Sequence, residues 1–417
     1  MKKPIDPNLN NSIDFDDLET SSEQSEVFER DGLKLSFEEP ESKPRRHSAG
    51  EHHSSHSSGQ SEHHHSGHSH SHHRRRHHRK KKKKNVALKI LIALISIILA
   101  AALVVGGVFV YELRKGEQDI ANAVEQISYE EVIDYNGHRY AYNKDVVAIA
   151  FIGVDKRDLG NDVQVGTAGQ ADADVVVCVD TKTGKAKVIA VPRDTMVDVD
   201  LYDTHGEYLR SENMQLCLSF AYGNGKNTSA ENVTTSLSRI LYNVPISKYF
   251  VLDLDGIAPI NDAIGGVTVE SMYDFEEFGI KVGDQVKLTG DMTEKYVRQR
   301  DMDTIDASLN RTARQVQYIK AFAKQLLPAV LDDFGIIRKL YNTAAEYSVT
   351  NIDLSNITYL ASIMVSKGIT DFETVTLEGE MKESTRTDYA DFVYAEFYPD
   401  EEATMQTVLD TFYTKLD

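Results

Sequence analysis

The chain has 417 residues, with 65 acidic and 46 basic side chains and a formal net charge of −19. A dense group of basic residues precedes residue 90, so the rest of the chain is more acidic still. A domain of this charge lacks the basic surface through which proteins bind nucleic-acid phosphates, which excludes a nucleic-acid partner.

The first 85 residues have the composition of a disordered segment. Residues 1–42 are polar and acidic, and residues 43–78 are mainly Ser, Gly and His, so neither part can bury enough apolar surface to fold. Thirteen of the 15 histidines lie between His47 and His78. Such a tract either chelates Zn²⁺ or Ni²⁺ and gains charge near pH 6, or is a solvated spacer. We predict a disordered, His-rich and basic cytoplasmic tail over residues 1–85.

An uncharged apolar run follows the tail. Residues 90–111 are mainly Ile, Leu, Ala, Val and Gly, and these 22 residues are enough to cross a bilayer. Residues 80–84, just before the run, are all Lys, whereas the residues after it are mixed in sign. Basic flanks stay in the cytoplasm and favour anionic lipids of the inner leaflet. We therefore predict a single-pass protein of the cell membrane with a transmembrane helix over residues 86–111, a cytoplasmic N-terminus and an extracellular C-terminal domain.

Strand-like and helix-like patterns alternate in the exported part. Residues 112–145 are expected to form a juxtamembrane stalk with a short amphipathic helix. The alternation predicts an α/β fold, a central mixed β-sheet sandwiched by helices. Residues 146–330 form the main domain in this prediction, and residues 331–417 a C-terminal part packed on it. The expected strands are 146–152, 174–179, 186–191, 250–254, 267–269 and 374–377, and the expected helices are 212–222, 230–241, a short one ending at Ile264, and 311–330.

The exported part contains two cysteines, Cys178 and Cys217. An exported protein can pair them in a disulfide. Cys178 lies in an apolar, strand-like run and is equally typical of a small buried hydrophobic residue. The sequence leaves both alternatives open.

Six arginines stand out in this acidic domain. They are Arg157, Arg193, Arg298, Arg300, Arg311 and Arg314. Arg193 comes directly after a predicted strand, where α/β folds place ligands. Arg298 and Arg300 have a spacing of two, which places both on one side of an extended segment. Arg311 and Arg314 have a spacing of three, which places both on one face of a helix.

Guanidinium groups that converge in one crevice repel one another unless they bind a polyanion. Phosphate or pyrophosphate is the fitting ligand, because the guanidinium donors match its oxygens. Alternatively, each arginine forms a local ion pair, since Asp301, Asp303 and Asp306 are close in sequence. Spacing alone does not decide between a pyrophosphate site and separate ion pairs.

Two carboxylates are candidate metal ligands. Asp155 follows the strand predicted over residues 146–152, and Asp172 precedes the strand predicted at residue 174. If the two strands are neighbours, the carboxylates approach each other and can bind Mg²⁺, which prefers one or two carboxylates together with substrate phosphates. An aspartate after a glycine is also ordinary turn chemistry.

Read in order, the short motifs resemble the LytR-CpsA-Psr family of cell-wall glycopolymer ligases. The resemblance covers residues 146–327 and extends loosely towards the C-terminus, and the tail lies outside it. The motifs are IGVDKR at 152–157, GQAD at 169–172, PRDT at 192–195, AYG at 221–223, DG at 255–256, DAIGGV at 262–267, YVRQR at 296–300, and Arg311 with Arg314 and Gln315.

The resemblance implies transfer of a glycopolymer from an undecaprenyl diphosphate carrier to peptidoglycan outside the membrane, with Mg²⁺ as cofactor. By motif, Asp155 and Asp172 would hold Mg²⁺. The catalytic set would be Arg193, Asp172, Arg298 and Arg300, and the substrate-binding set Arg311, Arg314, Arg157 and Gln170. The polyprenyl tail would lie in an apolar tunnel between the sheet and the helices.

One residue departs from the family pattern. The family often has Arg-Ser-Asp where this chain has Gln170, Ala171 and Asp172, so one phosphate-binding charge is missing, and Arg157 is a candidate to replace it. The departure implies a different polymer, a weaker hold on the pyrophosphate, or a binding role without turnover. Two alternatives to the ligase are therefore kept: a non-catalytic envelope-binding or regulatory module, and a lipid pyrophosphate phosphatase that uses water as acceptor.

Overall fold

The computed structural model describes residues 86–125, 131–159, 164–300, 304–368, 372–385 and 393–417. The tail predicted over residues 1–85 lies outside the described residues. Leu99–Asp417 belong to one compact unit. The helices are α1 (Val86–Glu125), α2 (Asn227–Ile240), α3 (Ile257–Ala263), α4 (Asp291–Arg298), α5 (Ala307–Asp332), α6 (Gly335–Ala345), α7 (Leu354–Ser366) and α8 (Glu401–Phe412). The strands are β1 (Val132–Tyr135), β2 (His138–Tyr142), β3 (Val146–Val154), β4 (Ala171–Asp180), β5 (Ala186–Val191), β6 (Met196–Tyr202), β7 (Tyr208–Gln215), β8 (Lys248–Leu252), β9 (Val267–Glu270), β10 (Gln285–Leu288), β11 (Ser348–Thr350), β12 (Glu373–Thr376), β13 (Gly379–Ser384), β14 (Tyr394–Pro399) and β15 (Tyr413–Lys415).

A mixed sheet forms the centre of the domain, with its described strands in the order β11-β8-β3-β4-β5-β12. The pairs β3–β8 and β5–β12 are parallel, and the other neighbours are antiparallel. The central strands are rich in Val, Ile and Ala, which suits strands buried on both faces. The predicted fold class, a central mixed sheet sandwiched by helices, is confirmed.

Alternate side chains of the sheet enter different cores. On one face, Ile152, Val176 and Ile189 pack in a cluster with Val233 of α2 and Phe412 of α8. On the other face, apolar residues of β4 and β5 pack with α5, and apolar residues of β3 pack with α1 and α7. Helix α5, which contains the arginines, and the C-terminal end of the apolar helix α1 both pack on this second face.

The helix predicted over residues 212–222 is wrong. Tyr208–Gln215 is strand β7, which pairs with β6, and only Leu216–Phe220 is helical, as a short 3-10 segment. The Oδ1 atom of Asp203 accepts hydrogen bonds from the backbone N–H groups of His205 and Glu207 and so closes the hairpin turn. Cross-strand pairing therefore decides this segment, although the spacing of its apolar residues also suits a helix.

One helix runs without a break through the predicted boundary between the transmembrane helix and the stalk. The helix predicted to end at Tyr111 continues to Glu125 as α1, because its last turns pack on the domain. The folded region begins before Val146, since β1 and β2 form an antiparallel sheet with β15 from the C-terminus. Among the described residues, one helical stretch, Leu94–Ala123, has the length and composition to cross a membrane.

Polar contacts fix the end of α1 to the domain. The Oδ2 atom of Asp119 accepts from Lys248 Nζ at 2.7 Å and from Asn356 Nδ2 at 2.8 Å. Lys248 is only 7% exposed, so its charge depends on this partner. A Cβ atom at Gly116 would overlap the backbone carbonyl of Ser355, which makes glycine necessary for the close approach of α1 and α7.

The two cysteines do not pair. Cys178 and Cys217 are both buried and free. Cys178 lies in the core beside Val176 and Ile189. Cys217 lies beside Arg193, as described below.

Candidate active site

A β-bulge presents the central carboxylate of the site. Gly153 of β3 pairs with Ala173 of β4, and Val154 pairs with Ala171, so Asp172 is the extra residue between them. A bulge bends the strand and redirects a side chain, and bulges are frequent beside active sites. Asp172 therefore projects from the end of the sheet at which strand β4 begins and strand β5 ends.

Two arginines bind this carboxylate from different elements. Arg193, which follows β5, donates from Nη1 to Asp172 Oδ1. Arg311, in the first turns of α5, donates from Nη1 to Asp172 Oδ2 at 2.8 Å. Within the described residues, the buried Nε atom of Arg311 has no hydrogen-bond partner, whereas Arg193 Nε has the Asp194 carboxylate 3.4 Å away. An unsatisfied buried donor of this kind makes the Arg311 guanidinium a candidate to bind an anion.

Gln170 and Asp155 complete the rim of the site. Arg193 donates from Nη2 to Gln170 Oε1 at 2.6 Å, and the backbone N–H of Gln170 donates to Asp155 Oδ1 at 2.7 Å. Gly169 has φ +105°, and a Cβ there would lie 2.9 Å from a methyl carbon of Val154 and 3.1 Å from Asp155 Oδ1. Glycine therefore allows this loop to approach Asp155 closely.

Charges converge on the site. Burial lowers the pKa of the Arg300 guanidinium, and the positive charges of Arg311 and Arg193 lower this pKa further. Burial would raise the pKa of Asp172, but the charges of Arg193, Arg311 and Arg300 outweigh it and hold the pKa below its ordinary value. The structure thus brings three of the six predicted arginines around one ionised carboxylate.

Arg157 and Arg298 are bound elsewhere. Arg157 Nη2 donates to Glu294 Oε1 at 2.6 Å and Nη1 donates to Asp255, while Arg298 Nη1 donates to the same Glu294 oxygen at 2.7 Å. The prediction that Arg298 and Arg300 share one side of an extended segment is wrong, because α4 continues to Arg298 and the chain becomes extended only after it. Arg298 thus forms a local ion pair, the alternative that the sequence left open, whereas Arg157 pairs with carboxylates that are distant in sequence.

Arg314 is buried beside α4 and not against Asp172. Its Nε donates to the backbone carbonyl of Tyr296 at 3.3 Å, and its guanidinium carbon lies 5.4 Å from the centre of the Tyr273 ring. Burial lowers the pKa of this guanidinium. Arg314 therefore supports the packing of α5 on α4. Arg311 and Arg314 both lie in α5, as their spacing of three predicted, but they bind different partners.

Sequence reasoning missed two neighbours of Arg193. Cys217 donates its backbone N–H to the Arg193 carbonyl at 3.0 Å, and its sulfur accepts from Arg193 Nη2 at 3.0 Å. Burial raises the pKa of the Cys217 thiol to about 12, so the sulfur acts as a neutral acceptor. Asp194 places Oδ1 3.4 Å from Arg193 Nε. Only the position of Asp194 next to Arg193 is visible in the sequence.

Asp174 is a buried acid beneath the site. It is 2% exposed, and within the described residues neither carboxylate oxygen has a hydrogen-bond partner. Burial raises its pKa well above the ordinary value, and the nearby charge of Asp172 raises it further. The folded chain therefore binds a proton at Asp174 more tightly than the unfolded chain does.

The Asp174→Asn variant is expected to unfold at a higher temperature than the parent at pH 7, by about 2–4 °C for each 1 kcal/mol recovered. The raised pKa means that the stability of the parent falls as pH rises above the ordinary carboxyl value. The gain should therefore shrink as pH falls and vanish below about pH 4. Thermal unfolding in metal-free buffer from pH 4 to 8 measures this, with the exposed Asp134→Asn as control. A gain independent of pH would contradict the explanation.

Two carboxylates of the site, Asp155 and Asp172, have the chemistry of Mg²⁺ ligands. Burial raises the pKa of Asp155, the Gln170 N–H opposes this, and the charge of Asp172 raises it again, so the two carboxylates lie within electrostatic range. No group of three or more His, Cys, Asp or Glu side chains among the described residues forms a metal cage. Two carboxylates and the oxygens of a bound diphosphate are the set that Mg²⁺ commonly takes.

Apolar side chains cover the face of the sheet next to the charged site. Phe151 is 36% exposed although it lies on the central strand β3, and its ring centre is 5.6 Å from that of Phe250 on β8. On the same face, Val175 of β4 packs in a cluster with Val316 and Ile319 of α5. The helix whose first turns carry Arg311 therefore also carries apolar residues that face the sheet.

The family model named LytR_cpsA_psr matches residues 108–406 of the chain. The chain belongs to the LytR_cpsA_psr family. The crystal structure of Bacillus subtilis TagV, at 21% identity, superposes with a TM-score of 0.50 and covers 64% of this chain and 98% of that one. A Streptococcus agalactiae protein, gbs0355, gives the same TM-score at 19% identity, and covers 64% and 88%. These likenesses show the fold.

Named relatives of the LytR_cpsA_psr family have low sequence identity to this chain. The polyisoprenyl-teichoic acid–peptidoglycan teichoic acid transferase TagV of Bacillus subtilis (strain 168) is 26% identical over 277 residues, which are 64% of this chain and 65% of that protein. Biofilm regulatory protein A of Streptococcus mutans is 26% identical over 221 residues, which are 51% and 52%. The chain thus matches between half and two thirds of the length of these relatives.

Proposed function

We propose that this protein is a membrane-anchored phosphotransferase that moves a glycopolymer from a polyprenyl diphosphate carrier to peptidoglycan outside the cell. The observation that carries the proposal is the pair of arginines, Arg193 and Arg311, that bind Asp172, with the charge of Arg300 acting on the same carboxylate. A diphosphate supplies acceptors for the guanidinium donors, and a prenyl chain suits the apolar side chains between the sheet and α5. The names of the relatives support the same donor and acceptor classes.

The proposed reaction exchanges one phosphorus–oxygen bond for another. An acceptor hydroxyl forms a bond to the sugar-linked phosphorus, the bond from that phosphorus to the bridging oxygen breaks, and the lipid leaves as its monophosphate while the hydroxyl proton is released. Arg193 and Arg311 hold and orient the diphosphate and stabilise the charge that grows on the leaving phosphate. Asp172 keeps both guanidinium groups in position before substrate binds.

Mg²⁺ belongs to the proposal, with Asp155 and Asp172 as its protein ligands. When bound, the ion neutralises charge on the phosphate oxygens. We also propose that α1 crosses the cell membrane with the N-terminus inside, because residues 80–84 are basic and the helix that follows is apolar. An anchor of this kind keeps the charged site near a donor that cannot leave the bilayer.

The test is product analysis with the full chain in nanodiscs that contain polyprenyl diphosphate-linked oligosaccharide, with peptidoglycan oligomers and Mg²⁺ in solution. A phosphodiester between the oligosaccharide and peptidoglycan, formed together with polyprenyl monophosphate, is the expected product. Release of oligosaccharide phosphate into water, with or without acceptor, would support the phosphatase alternative instead. Donor binding without any turnover would support the binding module.

Gln170→Arg is expected to bind the diphosphate donor about tenfold more tightly, with little change in kcat, because one charge-assisted hydrogen bond contributes about 1.5–3 kcal/mol. The Gln170 side chain accepts a hydrogen bond from Arg193, and its backbone N–H donates to Asp155. A longer cationic side chain at this position therefore reaches the diphosphate that Arg193 binds. Donor titration of turnover measures the change. Gln170→Ala, which loses the bond to Arg193 without adding charge, is the control, and weaker binding by Gln170→Arg would contradict the role of this position.

A further inference from the structure

The corner between α5 and α6 contacts the apolar part of α1. The ring centres of Phe109 in α1 and Phe334 at the corner are 5.5 Å apart, with the rings nearly perpendicular. Phe109 lies within the uncharged run of residues 90–111. If this run crosses the bilayer, as proposed above, Phe334 reaches α1 at a depth where lipid surrounds the helix.

Apolar side chains at the same corner face outwards. Leu331, near the end of α5, is 54% exposed, and Phe334 and Ile336 are half-buried. Charged groups frame the corner without covering it: Asp333 Oδ1 accepts from the backbone N–H of Gly335, and Lys339 donates to the backbone carbonyl of Ala263 at 2.9 Å. Apolar tips with polar groups at their margins are typical of a surface that enters a membrane interface.

The contacts of α1 hold this corner in place along the helix. Lys115 Nζ lies 2.8 Å from Asp353 Oδ2, and one turn later Asp119 binds the buried Lys248. Together with the ring contact at Phe109, these contacts fix α1 to the domain over three successive turns. The position of the corner along α1 is therefore fixed relative to the uncharged run.

We infer that the α5–α6 corner, with Leu331, Phe334 and Ile336 at its tip, is a surface that contacts the lipid bilayer beside α1. The inference rests on the proposal that α1 spans the membrane. It gives α5 a direction, because Leu331 at the bilayer and Arg311 at the charged site are about 30 Å apart along the helix. The apolar residues of α5 that face the sheet, Val316, Ile319 and Ala323, then lie between the bilayer and the charged site.

Site-specific fluorescence in nanodiscs tests the inference without requiring activity. A single environment-sensitive label is placed at Leu331→Cys, at Val104→Cys in α1, or at Tyr208→Cys, which is exposed on the β6–β7 hairpin. Both native cysteines are buried, so they react little. Quenching is compared between nitroxide-bearing lipid chains and aqueous iodide.

Labels at Leu331 and Val104 are expected to be quenched severalfold more by lipid than the Tyr208 label, and to be protected from iodide. Lipid quenching at Val104 together with a Leu331 label that behaves like Tyr208 would overturn the bilayer contact and leave the membrane anchor intact. Absence of lipid quenching at Val104 would overturn the anchor and the inference together. None of these outcomes depends on transfer, so loss of the proposed catalytic function is recognised separately.

Discussion

Replacing Arg193 with alanine is expected to reduce the rate of glycopolymer transfer by about 10²–10³-fold, the usual effect of removing one donor that stabilises transition-state charge. Arg193 is the residue that joins Asp172, Gln170 and Cys217, so its loss removes both a diphosphate ligand and the centre of the network. Initial rates at saturating donor measure the change in kcat.

Arg193→Lys and Arg210→Ala serve as matched variants. Lysine keeps the charge but cannot reproduce the guanidinium fork, so we expect it to recover only part of the rate. Arg210 is an exposed arginine bonded to Glu212 on the β6–β7 hairpin, and its removal should leave the rate unchanged. Equal losses in Arg193→Ala and Arg210→Ala would show that Arg193 has no special role.

Neutralising Asp172 is expected to separate binding from transfer. Asp172 occupies Arg193 and Arg311 in the free protein, so Asp172→Asn should free both guanidinium groups and tighten Mg²⁺-free binding of a diphosphate by about tenfold. The same variant loses a proposed Mg²⁺ ligand, so transfer should fall by at least about 10²-fold. Calorimetric titration with a short prenyl diphosphate, with and without Mg²⁺, measures the first effect.

Weaker diphosphate binding by Asp172→Asn in the absence of Mg²⁺ would contradict the proposal that Asp172 occupies the two arginines in the free protein. Unfolding temperature provides a second readout, because the variant leaves buried guanidinium groups without a counter-charge and should recover stability when a diphosphate is added. Asp198→Asn, which removes an exposed acid bonded to Asn213, is the control. It should change neither binding nor transfer.

The strands of the central sheet were predictable because their signal is local. Uninterrupted runs of Val, Ile and Ala in β3, β4 and β5 are typical of strands buried on both faces. The β6–β7 hairpin was not predictable in the same way. In the segment from 212 to 222, Met214, Cys217, Leu218 and Ala221 have the spacing of one helical face, and only pairing with β6 decides that its first residues form a strand.

The charged site was predictable only in part. The position of Arg193 after a strand, and the motifs that contain Asp172 and Arg311, indicate residues that the structure does bring together. The bulge at Asp172 depends on the register between β3 and β4, and the contact of Cys217 with Arg193 depends on where the 3-10 segment packs. Neither register nor packing is visible in residue spacing, and the same limit applies to the unpartnered Asp174.

Arg157 and Arg298 show why charge patterns alone mislead. Both bind Glu294, which lies one helical turn before Arg298 but far from Arg157 in sequence. Arg298 is the last residue of α4, and the chain becomes extended only after it. Whether an arginine binds a local carboxylate or a ligand thus depends on helix ends that are known only to within a residue or two from sequence.

The most direct measurement is a crystal structure of the full chain with a short prenyl diphosphate and Mn²⁺, whose anomalous signal locates the metal. We expect the diphosphate oxygens within hydrogen-bond distance of Arg193 and Arg311. The metal is expected on Asp155 and Asp172, and the prenyl chain beside Phe151. A diphosphate bound between Arg157 and Arg298, or a metal away from both carboxylates, would contradict the proposed site.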